Sequence, residues 1–332
     1  MRILVQTIDP GTLAPIRDIS AIVDISANAS LSFDIDSDIF CSGSIGFSGN
    51  GSLVENALVR ISRVTDTEID VLGTFFADTS GAEHIGSLLV GELELEGILA
   101  ELRDTCTPVA YVCAANVPCI DIIRDACQTL GRPTAIPDTL SSTSFSETII
   151  FEAGTSWIQI CSEAAERCGM RLSQDPLGFV TLEQNPPPGE FTSWVLAPGD
   201  TDIIGKIEKT AARKSAPTRI VATWSGSGNA ISATVDAPAR GLRKRDQHVS
   251  VSDLPEASVA VLTDIAREEL EKASGLQDEW KFTALFKRVV CGAPCEVFDM
   301  VDSGKISGVV ASIELDLFPA LAMTVTIRGE AS

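Results

Sequence analysis

The chain has 332 residues, of which 45% are hydrophobic and only 5% aromatic, so two or three domains with aliphatic cores are expected. It has no run of about 18 or more apolar residues and no signal-peptide stretch, which excludes a membrane-spanning helix and general secretion and predicts a protein made in a cytoplasm. The formal net charge of −21 lies mostly in residues 1–205, which hold 9 basic and 29 acidic residues, and such an acidic surface repels nucleic-acid phosphates.

Residues 1–105 are predicted to form a first β-rich domain. Polar turns separate short alternating runs, and Asn50-Gly51 is a dipeptide that two-residue hairpins favour. It predicts a hairpin between the strands on either side of it. Residues 92–96 alternate strictly between glutamate and leucine, which predicts a half-buried strand with an acidic outer face.

Residues 106–204 are predicted to form a small α+β domain. Pro118 opens a helix and Gly131 closes it, because proline suits the first turn of a helix and glycine the position after its end. A Ser/Thr-rich loop and a short strand over 148–151 follow. The helix carries one apolar stripe: Cys119, Ile123, Ala126, Cys127 and Leu130.

The most regular part of this domain is the segment 154–182. Ser156 and Gln159 have the spacing of a capping box, which predicts the start of a second helix, and Gly169 predicts its end. Two short strands then flank the turn 175–178. The apolar stripe of the predicted helix consists of Trp157, Ile160, Cys161, Ala164, Ala165 and Cys168.

Residues 205–332 are predicted to form a second β-rich domain with one helix. A hairpin is expected between 219–224 and 230–235, around a Ser/Gly-rich turn. The helix spans 258–274, with Leu262, Ile265, Ala266 and Ala273 facing inward and Glu268 and Lys272 paired outside. Four further strands are predicted at 279–290, 295–299, 305–317 and 322–328, with a turn at 302–304.

The nine cysteines include no C-x-x-C pair, and without a secretory context we expect reduced thiols. Four of them cluster in a short segment, so a metal or iron–sulfur site is one hypothesis for this cluster: Cys106, Cys113, Cys119 and Cys127. Cys119 and Cys127 lie eight residues apart on the predicted helix, or about 12 Å, which is too far to share one ion. Most of the cysteines are therefore interpreted as small core residues.

No other group has the pattern of a catalytic, cofactor or metal site. His84 and His248 lie outside any metal or nucleophile motif, and the sequence has no G-x-S-x-G elbow. The run Asp34, Asp36, Asp38 lacks the glycine and glutamate of a calcium loop. Gly226-Ser227-Gly228 is too short to cradle a phosphate. The basic run Arg240, Arg243, Lys244 and Arg245 is interpreted as a solvated loop, since no aromatic residue accompanies it.

The order of these parts resembles that of minor tail proteins of long-tailed bacteriophages, of the baseplate-hub or tail-tip type, and of related gene transfer agents. The resemblance covers roughly residues 90–330. It rests on VPCIDIIRDACQTLGRP, on TSWIQICSEAAERCGMRLSQDPLGFVTLE, on the helix SVAVLTDIAREELEKAS and on the closing strands from WKFTALFKRVV onward. The four-cysteine cluster departs from the family pattern, and it leaves open an iron–sulfur centre of the kind that some tail-tip proteins carry.

The resemblance implies an α+β, mostly β fold, in which residues 1–105 and 205–332 are two tube-type, β-barrel-like domains and residues 106–204 are an inserted domain. It implies a structural protein with no enzymatic activity and no cofactor, a homotrimer in the virion tail that is assembled in the host cytoplasm. The hub ring would join the tail tube or distal tail ring to the tip or fibre proteins and line the channel. DNA would be a partner only in passage.

Several alternatives stay open at this point. The chain could be a tail-associated cell-wall hydrolase, which would need a histidine or a carboxylate pair in a cleft. It could also be the hexameric distal tail protein or a spike-base protein of a contractile injection system. The acidic charge of the first 205 residues suits a DNA channel, but solubility alone is a simpler interpretation of it.

Overall fold

The computed structural model describes residues 2–25, 29–49, 57–85, 88–137, 143–184, 192–196, 202–210, 217–226, 229–236, 246–251, 258–274, 278–299, 304–318 and 321–331. The described residues are mostly strand, as predicted. The helices in this part of the chain are α1 (Leu99–Asp104), α2 (Cys119–Thr129), α3 (Trp157–Arg167) and α4 (Val259–Ser274).

The strands in the same residues are β1 (Arg2–Ile8), β2 (Pro15–Asp18), β3 (Val23–Asp24), β4 (Ser30–Asp34), β5 (Cys41–Gly49), β6 (Ala57–Val64), β7 (Ile69–Ile85), β8 (Leu88–Gly97), β9 (Tyr111–Cys113), β10 (Ile149–Phe151), β11 (Met170–Gln174), β12 (Val180–Gln184), β13 (Thr192–Leu196), β14 (Ile203–Thr210), β15 (Arg219–Gly226), β16 (Asn229–Asp236), β17 (Asp246–Val251), β18 (Asp278–Leu285), β19 (Pro294–Asp299), β20 (Gly304–Asp316) and β21 (Ala322–Ala331).

The chain divides into two compact units. Unit 1 comprises residues 1–206 and 282–327, and unit 2 comprises residues 207–281 and 328–331. The mostly β, α+β fold class is confirmed. The three-part division into 1–105, 106–204 and 205–332, and the barrel-like form of its outer parts, stay predictions. No helix in the described part of the chain is long and apolar enough to cross a membrane.

Unit 1 contains most of a large sheet that joins the beginning of the chain to its end. β20 pairs with β4, and the order continues through β5, β8, β7, β6 and β1 to β2. The strands β7 and β8 form a long hairpin whose last pair is Ile85 with Leu88. As predicted, β8 buries Leu93 and Leu95 and exposes Glu92 and Glu94.

The hairpin predicted around Asn50-Gly51 is wrong, although the dipeptide itself lies outside the described residues. The strands that flank it do not pair with each other: β5 pairs with β3, β4 and β8, and β6 pairs with β1 and β7. A strand has two edges, and other strands occupy both edges of each. The local turn signal was therefore overridden by pairing between distant segments.

The predicted α+β segment is confirmed in its helices and its hairpin. The apolar stripes of α2 and α3 are buried, apart from Leu130 and Cys168, which are half-buried, and the two helices pack against each other. Gly131 and Gly169 both have φ of +67°, the left-handed backbone of a helix end. β11 and β12 pair antiparallel from Met170 opposite Gln184 to Gln174 opposite Val180.

The predicted capping box at α3 is wrong in its contacts. Ser156 occupies the N-cap position with extended backbone, but its side chain makes no capping hydrogen bond. The N–H of Trp157 instead donates to the carbonyl of Thr105, at 3.1 Å. A backbone partner from the preceding segment therefore satisfies the first N–H of the helix, and the predicted side-chain bond to the N–H of Gln159 is not made.

Unit 2 is built on a three-stranded sheet covered by α4. β15 pairs antiparallel with β16, which confirms the predicted hairpin, and parallel with β17. The core of the unit comprises Ile220, Ala222, Trp224, Ala233, Leu262, Ala266 and Leu270. Ile265 is half-buried, and the side chains of Lys272 and Ala273 lie outside the described residues. The strand predicted over 279–290 ends at Leu285, and the predicted turn residues 302–303 are not among those described.

Candidate functional site

A buried arginine connects the first β-rich region of unit 1 to the turn between β11 and β12. Arg60 lies in the apolar strand β6 and is 8% exposed. Its Nη2 donates to the carbonyls of Leu13 and Leu177, at 3.0 and 2.8 Å, and its Nε donates to Thr74 Oγ1, at 3.2 Å. Burial lowers the pKa of the Arg60 guanidinium, and the carboxylate of Asp175 acts against that shift.

Two further buried side chains complete this contact. The Thr74 hydroxyl donates to the carbonyl of Pro176, at 2.8 Å. Gln174 accepts from the N–H of Ile98, at 2.5 Å, and donates to the carbonyl of Thr74, at 3.1 Å. Each bond joins the segment 154–182, which we call the helix–hairpin segment, to β7 or to Ile98 directly after β8. We call the following side chains the hairpin anchor: Arg60, Thr74 and Gln174.

The turn fits closely against the anchor. Gly178 has φ of +93°, and a Cβ at this position would lie 3.0 Å from Thr74 Cγ2. Only glycine combines this backbone conformation with so little space. The turn sequence Asp175-Pro176-Leu177-Gly178 therefore serves two purposes, because it reverses the chain and also permits close contact with β7.

An apolar cavity of about 590 Å³ lies beside the anchor in unit 1. It is bounded by β4, β7, the β11–β12 turn, the segment 286–291 and β20. Among its lining residues, Ile69, Leu177 and Val290 are exposed to solvent. At β7, the buried carboxylate of Asp70 is paired with Arg63 and Arg288. The lining is mostly apolar, but it also includes the carboxyl groups of Asp175 and Glu183 and the basic side chains of Lys287 and Arg288.

The members of the predicted cysteine cluster differ in burial, and the Cys113 thiol interacts with that of Cys119. Cys106 is exposed, whereas Cys113, Cys119 and Cys127 are buried. Burial raises the pKa of Cys113 to about 11 and that of Cys127 to about 12. In the part of the chain that the structure describes, no group of three or more His, Cys, Asp or Glu residues could hold a metal ion.

The other residues singled out by sequence are scattered. His248 is exposed on β17, and His84 belongs to β7 but its side chain lies outside the described residues. Asp34 accepts from the N–H of Asp36, at 2.9 Å, in the turn after β4. The basic run at 240–245 and residues 227–228 are also outside the described residues.

Exposed apolar side chains form small groups in unit 1. On the outer face of the β9–β10 pair, Val112 lies directly opposite Ile150, and they are 55% and 64% exposed. At the end of the β7–β8 hairpin, Ile85 and Leu88 are 62% and 47% exposed. Grouped apolar side chains of this kind are typical of surfaces that another protein covers.

Sequence reasoning missed the hairpin anchor. The sequence does contain a sign of the anchor. Met170, Leu172 and Gln174 lie on the same face of β11, and Gln174 is a polar residue on that otherwise apolar face. Likewise, Arg60 interrupts an apolar run in β6. A polar residue on a buried face needs a partner, and the sequence alone did not identify that partner.

Comparison with solved structures shows a fold shared with phage tail proteins. The 43 kDa tail protein of prophage MuSo2 from Shewanella oneidensis matches with a TM-score of 0.69 and 12% identity, over 98% of this chain and 97% of that one. The tail protein from Neisseria meningitidis MC58 matches with a TM-score of 0.68 and 11% identity, over 98% and 96%.

A third match is the E. coli c3393 protein, a component of the type VI secretion system with structural similarity to the T4 bacteriophage tail proteins gp27 and gp5. Its TM-score is 0.52 and its identity 12%, over 93% of this chain and 74% of that one. No protein-family model and no curated protein matches the sequence. At these identities the likeness is one of fold, and in the fold the predicted resemblance to tail proteins is confirmed.

Proposed function

We propose that the chain is a structural component of a phage tail, forming the hub ring that joins the tail tube to the distal tip and lines the DNA channel. The observation that carries this proposal is the fold shared, over 98% of the chain, with the tail proteins from Shewanella oneidensis and Neisseria meningitidis. Because one fold can host several functions, the surface must support the role as well.

The acidic charge of residues 1–205 supports a channel lining. β8 exposes Glu92 and Glu94, and Asp78 of β7 lies directly opposite Glu94 and is also exposed. Like charges placed directly opposite on a sheet destabilise it. Folding therefore does not account for this pair, whereas a surface that repels DNA phosphates and lets the duplex slide does.

The exposed apolar groups support assembly. The β9–β10 face around Val112 and Ile150, and the hairpin end at Ile85 and Leu88, offer surfaces for neighbouring chains. We propose a homotrimer in which residues 1–105 and 205–332 are tube-type, barrel-like domains and residues 106–204 are an inserted domain. Three chains then present six similar domains to the tail tube or distal tail ring on one side and to the tip or fibre proteins on the other.

Native mass measurement tests the ring. The chain mass is 35.1 kDa, so a homotrimer has a mass of about 105 kDa. Mass photometry and sedimentation from nanomolar to micromolar concentration should find this species, and electron microscopy should find rings with a central channel. A hexamer would favour the distal tail ring, and a monomer throughout would contradict both.

Charge reversal tests the channel. In the assembled protein, replacing both Glu92 and Glu94 by lysine should create retention of duplex DNA that the unaltered ring lacks, because the lining would then attract phosphate. The matched control replaces Glu163 and Glu166, which are exposed on helix α3 and lie outside this sheet, by lysine. Equal DNA retention by the two double variants would contradict a lining role for β8.

A further inference from the structure

Two thiols meet where α2 begins and α3 ends. Cys119 is the first residue of α2, and its N–H donates to the carbonyl of Thr143, at 2.9 Å. Cys168 is the C-cap residue of α3, and the hydroxyl of Thr143 lies 3.7 Å from its sulfur. The Cys168 thiol is close enough to the Cys119 thiol to raise its pKa. The fold thus brings together two cysteines that are 49 positions apart in sequence.

The surroundings of this pair suit stepwise oxidation. Cys168 is half-buried, whereas Cys119 is fully buried. Burial and the neighbouring Cys168 thiol raise the pKa of the Cys119 thiol, while the Thr143 hydroxyl and the Arg167 guanidinium act to lower it. The Thr143 hydroxyl donates to the carbonyl of Arg167, at 2.7 Å. A thiolate formed at Cys119 therefore has the Arg167 cation beside it as its stabilising charge.

A second pair of neighbouring thiols in unit 1 provides a contrast. Cys41 and Cys291 are each 2% exposed. Burial raises the pKa of both thiols, that of Cys291 to about 12. An oxidant has no exposed sulfur to reach there, so accessibility distinguishes the α2–α3 pair from this one.

We propose that Cys119 and Cys168 form an intramolecular disulfide when the protein meets a disulfide oxidant, as it does on leaving a reducing cytoplasm. The thiolate of Cys168 attacks one sulfur of oxidised glutathione and releases one glutathione thiolate. The thiolate of Cys119 then attacks the Cys168 sulfur and releases the second glutathione. The protein loses two protons and two electrons, and the oxidised glutathione is reduced to two thiols.

The link ties the start of α2 to the end of α3 and closes the chain over 119–168. A disulfide that closes a long loop restricts the unfolded chain, so the oxidised protein should melt about 5–10 °C higher than the reduced one. The inference rests on the proposed function in one respect only: release of a virion from the cell is what would expose the protein to an oxidant. The chemistry of the pair is a property of the folded chain.

The experiment incubates the purified full chain with mixtures of oxidised and reduced glutathione. The nine thiols should fall to seven, and trypsin should release peptide 168–171 linked to peptide 104–124 through Cys119. Cys168→Ser and Cys119→Ser should each abolish the link and the gain in melting temperature. Cys106→Ser is the matched control, because this exposed thiol lies on the same tryptic peptide, and it should leave the link intact.

Three results would overturn the proposal: nine free thiols at equilibrium with oxidised glutathione, Cys168 carrying glutathione alone, or a link that Cys106→Ser abolishes. Sedimentation of the same samples separates this inference from the proposed function. A monomer that forms the link would contradict the ring and support the disulfide. A trimer without the link would support the ring and contradict the disulfide.

Discussion

Replacing Arg60 by methionine tests whether the hairpin anchor holds the helix–hairpin segment on the sheet. Methionine keeps an unbranched apolar side chain but removes all the donors of the guanidinium. The carbonyls of Leu13 and Leu177 are backbone groups that remain in place, and each loses its charged donor. Thr74 Oγ1 loses the donor at Arg60 Nε as well.

The expected loss of stability follows from these contacts. A hydrogen bond to a charged group contributes about 1.5–3 kcal/mol, so two of them amount to about 3–6 kcal/mol. The variant also avoids the desolvation of a guanidinium that is only 8% exposed, which offsets part of the loss. We expect a net loss of about 2–4 kcal/mol, or a fall in melting temperature of about 5–15 °C.

Thermal unfolding followed by circular dichroism measures the loss, and hydrogen exchange at the N–H groups of Asp175, Leu177 and Gly178 locates it. The matched control is Arg103→Met, because the ion pairs of Arg103 with Glu96 and Asp104 are partly exposed and worth less than about 1 kcal/mol. Equal losses of stability in the two variants would contradict this role of Arg60. So would unchanged hydrogen exchange in the turn of Arg60→Met.

Two further predictions concern backbone space and pH. Gly178→Ala should lose about 1–2 kcal/mol more in urea unfolding than Gly154→Ala, because both glycines have φ near +90° but only Gly178 has Thr74 within contact; equal losses would contradict the fit. Burial raises the pKa of Cys127 from 9.0 to about 12, so its contribution to stability is complete below pH 9 and is lost between pH 9 and 12. Cys127→Ala should therefore make the alkaline fall in unfolding free energy shallower by about 1.4 kcal/mol per pH unit, with exposed Cys106→Ala as the control.

The helices and local hairpins were predictable because their signals lie within a few residues. The stripe from Trp157 to Ala165 specifies one buried face, and Gly169 ends the helix by its own backbone freedom. The turn 175–178 likewise positions β11 against β12. Each of these features depends on neighbours in sequence, which a periodicity detects.

Pairing between distant strands was not predictable in the same way. The dipeptide Asn50-Gly51 favours a hairpin locally, yet β5 pairs with β8 and β6 pairs with β1 and β7. Strand pairing and register are decided by how buried faces match across the whole unit. The preference of two turn residues is too weak to override this matching. The same reasoning explains why the partners of Arg60 and Gln174 could not be read from sequence.

For the cysteines, too, local sequence patterns predict burial but not partners that are distant in sequence. Interpreting Cys161 as a packing residue is confirmed, since it is fully buried in the stripe of α3. The last cysteine of that stripe, Cys168, is only half-buried and contacts Cys119 of α2. The apolar pattern of α3 identifies the buried face of that helix. It does not identify which thiol of the neighbouring helix α2 lies beside Cys168.

The hairpin anchor also bears on how the proposed inserted domain would serve the proposed ring. Apolar packing alone is non-directional, and two apolar faces can slide past each other at little cost. The bonds of Arg60 and Gln174 are directional and buried, so a displacement of the turn leaves several polar groups unpaired at once. An orientation fixed in this way is useful to a protein whose copies must present matching surfaces around one axis. In the proposed function, the contribution of the segment 154–182 is to hold one part of the chain in a defined position on another.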